Sequence, residues 1–180
     1  SYKAGDLIEV QVDMSENVIV SGAPRLLLAT GTPNTYAIYN HGSGSSVLVF
    51  DYTIGAGQNS VDLDYVGINS LDINGGTIRD AANNSLDITL PSSGEPGSLS
   101  ANKDIIVDTT TPLILNVTSP QIDGTYGVGE NILIRIQFSE IVEVTGTPQL
   151  QLETGTDDAS VNYTDGSGSD TLTFSYTVAA

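Results

Sequence analysis

The chain has 180 residues, 22 acidic against five basic, giving a formal charge of −17, and it has no cysteine. That balance excludes an ordinary nucleic-acid surface, which needs a basic patch to neutralise phosphate, and it argues against anionic membranes. Neither disulfides nor thiolate metal sites are possible, and no apolar run approaches the roughly 18 residues of a membrane span.

In chain order, the first clear pattern is a strand with Ile8, Val10, Val12 and Met14 on one face. Turn signals follow at short intervals: "SGAP", "ATGTPN", "NHGSGS", "GAGQN", "NGG", "DAANN" and "PSSGEPG". Such spacing predicts a β-sandwich, and no helix is expected. "DIIVDTTTPLILNV" (104–117) reads as a last strand, a hinge stiffened by Pro112 and a new first strand, so domains are expected over 1–109 and 110–180. Beyond the hinge, "NILIRIQF" turns Ile132, Ile134, Ile136 and Phe138 inward, and "DTLTFSYTV" does the same with Leu172, Phe174, Tyr176 and Val178. A period of two with one polar face predicts antiparallel sheet covered on one side.

The second half repeats the first. At a constant offset of 124 residues, 24 of the 56 pairs between 1–56 and 125–180 are identical, with "FSEIVEV" over "MSENVIV" and "GSGSDTLTFSYTV" over "GSGSSVLVFDYTI". The copies are out of phase. Copy one lacks a strand matching 113–118, and copy two lacks everything matching 57–108. Both sandwiches are therefore expected to be incomplete, in a window on a longer protein unless a neighbour supplies the strands.

The stretches "GTYGVGENILIRIQFSEIVEVTGTPQLQLETGT", "SVDLDYVG", "LDINGGTIRDAANN", "LDITLPSSGEPGSL" and "ANKDIIVDTTTP" resemble the immunoglobulin-like, cadherin-like tandem repeats of large bacterial secreted or surface proteins. The resemblance implies an all-β fold of tandem immunoglobulin-like sandwiches, an extracellular or cell-surface location, and a stalk role between an anchor and a distal binding domain. It also implies calcium at the joints between domains. The family usually writes D-A-A-G-N where this chain has Asp80-Ala81-Ala82-Asn83-Asn84, and Asn is the residue a left-handed turn position tolerates best after Gly.

Calcium takes six to eight oxygen ligands, mostly from acidic loops. The candidates are Asp62 and Asp64, which would share a face on a strand, Asp80 beside Asn83 and Asn84, Asp108 in the hinge, and Glu16 and Glu140, each at the expected end of a strand. "DGSGSD" (165–170) could pass for a metal loop, but its counterpart "HGSGSS" has neither acid, so both read as hairpin loops. His41 is the only histidine, and copy two has Asp165 in its place, which argues against a Ser–His–Asp site. Asp62 and Asp64 would suit a glycosidase pair, but no cleft-forming insertion accompanies them.

Lys3 and Lys103 neighbour turns, which disfavours an isopeptide bond. Tyr36, Tyr39 and Tyr163 could stack on sugars but read better as sheet packing. Asn83, Asn116 and Asn162 open N-x-S/T triplets. The expected function is a non-enzymatic extender of a bacterial adhesin, partnered by neighbouring copies of its own repeat. A filament subunit completed by strand exchange and a carbohydrate- or protein-binding module are the alternatives.

Overall fold

A computed structural model describes residues 1–180. The chain separates into two units, Ser1–Thr110 and Thr111–Ala180, each built on one antiparallel sheet, so the all-β expectation holds.

The first unit contains β1 (Leu7–Ser21), β2 (Arg25–Leu28), β3 (Thr35–His41), β4 (Ser45–Thr53), β5 (Leu71–Asp72) and β6 (Thr77–Arg79), in sheet order β5-β2-β3-β4-β1-β6. β1 changes partner along its length. Leu7 to Asp13 pair with β4, the register breaks between Asp13 and Val18, and Ile19 to Ser21 pair with β6. A break of this kind bends the strand and lets one strand serve two parts of a curled sheet. The expected alternation is present, with Ile8 and Val10 buried between exposed Leu7, Glu9 and Gln11.

Residues 57–107 are mostly irregular, yet they supply Leu63, Tyr65, Leu71, Ile78 and Val107 to the same core as Leu26, Leu48, Phe50 and Tyr52. One turn of helix, α1 (Leu99–Asn102), was not expected. It forms where the buried Ser98 side chain accepts the Ala101 N–H at 3.2 Å, an N-cap that satisfies a donor the turn leaves open.

The second unit contains β7 (Ile114–Thr118), β8 (Asn131–Val142), β9 (Gln149–Leu152), β10 (Ala159–Asp165) and β11 (Ser169–Thr177), in order β7-β8-β11-β10-β9. β9, β10 and β11 begin and end 124 residues after β2, β3 and β4. The repeat extends to single hydrogen bonds. Tyr39 packs edge-on against Phe50 with ring centroids 5.9 Å apart, and Tyr163 against Phe174 at 6.2 Å. Ser43 Oγ accepts the Val20 N–H at 3.0 Å, and Ser167 Oγ accepts that of Val144 at 2.9 Å.

Burial differs between the units. Phe174 and Leu172 are buried like Phe50 and Leu48, but Leu150, Leu152 and Tyr176 are half-buried where Leu26, Leu28 and Tyr52 are buried. Within this chain the second sheet has no counterpart of residues 57–108 laid over it.

Candidate functional site

Two of the strand-based expectations for the acids are corrected by the fold. Asp62 and Asp64 do not share the face of a strand. Residues 61–64 form no strand, Asp62 is exposed, and Leu63, Asp64 and Tyr65 are buried in succession. Glu16 and Glu140 do not end their strands, because β1 continues to Ser21 and β8 to Val142. Glu16 lies exposed in the stretch where β1 loses register with β4, and one Glu140 carboxylate oxygen is buried without a hydrogen-bond partner.

Asp64 is an internal tie. One carboxylate oxygen accepts the Tyr65 N–H at 2.8 Å, and the other accepts Ser93 Oγ at 2.8 Å, the Gly94 N–H at 3.0 Å and Ser100 Oγ at 2.7 Å. Burial pushes its pKa up, but the bonds from Ser100, Ser93, Gly94 and Tyr65 together outweigh burial and hold it below the usual carboxylate value. The Tyr65 hydroxyl donates to the Pro91 carbonyl at 2.7 Å, fastening the same segment. Asp64 thus pins residues 91–100 to the core.

Asp80 closes its own turn. Its two oxygens accept the Asn84 side-chain and backbone N–H groups at 2.7 Å each, and those bonds hold its pKa down. Asn83 sits at φ 72°, a left-handed position. Asp108 accepts the Thr110 N–H at 2.9 Å. No group of three or more Asp, Glu or His side chains is placed to hold a metal ion.

The other singled-out side chains have local roles. His41 ends β3 on the surface. Tyr36 lies under the Arg25 guanidinium, 4.1 Å from ring centroid to Cζ, and Arg25 is paired with Asp72 at 2.8 Å. Tyr39 and Tyr163 pack on phenylalanine, as the sheet-packing reading expects. Lys3 and Lys103 are exposed. Asn83, Asn116 and Asn162 are exposed too.

A concave feature lies elsewhere, in the first unit. A groove of about 1150 Å³ runs between residues 9–16 of β1 and the segment 84–91. Val10, Leu26, Tyr65 and Leu71 form its floor, and Leu86, Ile88 and Leu90 its far wall. β4 occupies one edge of β1. Along the other edge, from Glu9 to Glu16, no strand is hydrogen-bonded. Tyr2, ahead of β1, bridges Val107 instead.

The groove had a signal in the sequence, the phase difference between the copies, but its far wall did not. Residues 84–91 form no regular strand: Ser85 bridges Arg79, and the Leu86 and Leu90 N–H groups donate to the Ile78 and Ile68 carbonyls at 2.9 Å each. Comparison with protein-family models, with curated proteins and with solved structures finds no match to the chain.

Proposed function

We propose that the chain is a non-catalytic spacer: tandem β units of a large bacterial secreted or surface protein, whose number sets the reach of a distal binding region. One observation carries the reading. What the two hairpins share is structural, and what they do not share is chemical. Tyr39, Gly42, Ser43, Gly44, Ser45 and Phe50 all recur at the 124-residue offset with their contacts, while His41 becomes Asp165 and Ser46 becomes Asp170. A unit built to catalyse would keep its titratable groups. These copies keep the glycines and the packed aromatic pair.

An extracellular location and calcium belong to the same proposal, supported by the resemblance and by the excess of acids over bases. The test is made in the full protein that carries this chain. Deleting one 124-residue period should shorten its projection in electron micrographs, while a target pressed into contact is still bound. Loss of binding at unchanged length would assign recognition to the chain itself. A second reading, a filament whose subunits exchange strands, is favoured by the open edge of β1.

A further inference from the structure

We infer that the groove beside β1 is a strand-accepting site, and that its occupant is an extended segment with the sequence pattern of β7, supplied by a repeat unit other than the two described. An unpaired strand edge presents a row of N–H and C=O groups that an incoming strand can ladder onto. Here the edge borders a groove with an apolar floor and acidic side chains around it, so backbone pairing and side-chain burial are available together.

The second unit shows what fills the equivalent place. β7 lies on β8 with Ile114 opposite Phe138, Asn116 opposite Gln137, Val117 opposite Ile136 and Thr118 opposite Arg135. Moved back by 124 residues, those β8 positions are Met14, Asp13, Val12 and Gln11, the stretch of β1 whose outer edge is open. Directly paired residues point to the same side of an antiparallel sheet. The residues opposite Met14 and Val12 therefore enter the groove and should be apolar, as Ile114 and Val117 are. Those opposite Asp13 and Gln11 face water and should be polar, as Asn116 and Thr118 are. Five residues at about 3.4 Å each cover the stretch from Gln11 to Met14, the middle of the open edge.

Charge sets a further condition. Glu9, Asp13, Glu16, Asp80 and Asp87 line the groove against a single base, Lys103. An acidic segment would be repelled, whereas residues 111–121 carry no charge. A second copy of this chain is the poorer donor. Its β7 is already laddered to β8, so the donor is a unit whose β7-like segment has no β8-like strand of its own to pair with. The inference concerns this edge and stands apart from the spacer reading, whose length experiment does not report strand addition.

The probe is a fluorescent peptide of residues 111–121, TPLILNVTSPQ, titrated with the 180-residue chain. Saturable binding is expected, with hydrogen exchange of the amides in 9–16 slowed and those of β8 unchanged. The same peptide with Ile114→Asp and Val117→Asp should bind at least about tenfold weaker, because each change sets a carboxylate against the apolar floor of a groove already lined by five acids. Met14→Asp in the chain should weaken the parent peptide similarly. Should that variant not fold, the pair of peptides decides. Equal affinity for both peptides, slowed exchange away from β1, or no binding at about 1 mM would overturn the inference. So would a chain that dimerises without peptide and protects β1, which would make a second copy the occupant.

Discussion

The hydroxyl of Tyr39 accepts the backbone N–H of Ser43 at 2.9 Å, tying the β3–β4 loop to a ring that is packed on Phe50. The second unit repeats this with Tyr163 and Ser167 at 2.7 Å. Tyr39→Phe keeps the packing and deletes the bond, so it should cost about 0.5–1 kcal/mol, as should Tyr163→Phe. Urea unfolding of the two variants checks this. Wild-type midpoints for both would mean that water replaces the hydroxyl without loss.

Gly42 tests the same loop more severely. Its φ is +117°, and an added Cβ would stand 2.1 Å from the Val47 carbonyl oxygen; Gly44, at φ +90°, has nothing within 4 Å. Gly42→Ala combines strain with a backbone clash and should cost more than about 2 kcal/mol, against about 1 kcal/mol for Gly44→Ala from strain alone. Gly166→Ala should behave as Gly42→Ala does, since its Cβ would meet the Thr171 carbonyl oxygen at the same 2.1 Å. Equal losses at Gly42 and Gly44 would show that the loop yields to the clash.

Asp64 should govern part of the acid limb. Its folded pKa lies below the ordinary 3.8, so its stabilisation is fully present above that value and is lost as pH falls through the folded value. Asp64→Ala strands donors from Tyr65, Ser93, Gly94 and Ser100, and should cost about 2–3 kcal/mol at neutral pH. It should also flatten the dependence of unfolding free energy on pH below about 4. A variant whose acid limb matches wild type would assign acid sensitivity elsewhere. Asp72 and Asp80, also depressed, are the next candidates.

Calcium should raise the thermal midpoint. At roughly a hundredfold excess over the dissociation constant, binding to the folded form alone adds about 2.7 kcal/mol. Asp108, which gives one oxygen to Thr110 N–H, is the first ligand to test. The rise should disappear with chelator and in Asp108→Ala. A midpoint indifferent to calcium at about 10 mM would leave the acids as a solvated surface.

The sheets were legible because their signals are local. Alternation marked Ile8 to Met14, Ile132 to Phe138 and Leu172 to Val178, and the turn residues marked the hairpins. Asn83 was legible for the same reason, its φ being a property of one residue. Asp64 was not. Its partners Ser93 and Ser100 lie 29 and 36 residues onward, and nothing in "DLDY" names them. Glu16 was misplaced because a bulge leaves no mark in a hydrophobic period, so a strand that bends reads as a strand that ends. Residues 57–107 carry burial without alternation, as in Leu63-Asp64-Tyr65, and there the period-two argument had no purchase.

The uneven burial of the two units gives the chain an internal reference. Phe50 and Phe174 sit in matching ladders, opposite Tyr39 and Tyr163, in sheets of closely similar sequence. Residues from 57–107 pack into the core of the first, and the core of the second is formed by its own strands and loops alone. Amide exchange at the two positions, followed in one tube, reads out how much protection a covering layer confers on an otherwise equivalent strand. Comparisons of that kind usually require two proteins and a correction for differing solvent, temperature and chain. Here one molecule holds both arms, and anything that later covers the exposed sheet would be detected as Phe174 slowing toward Phe50.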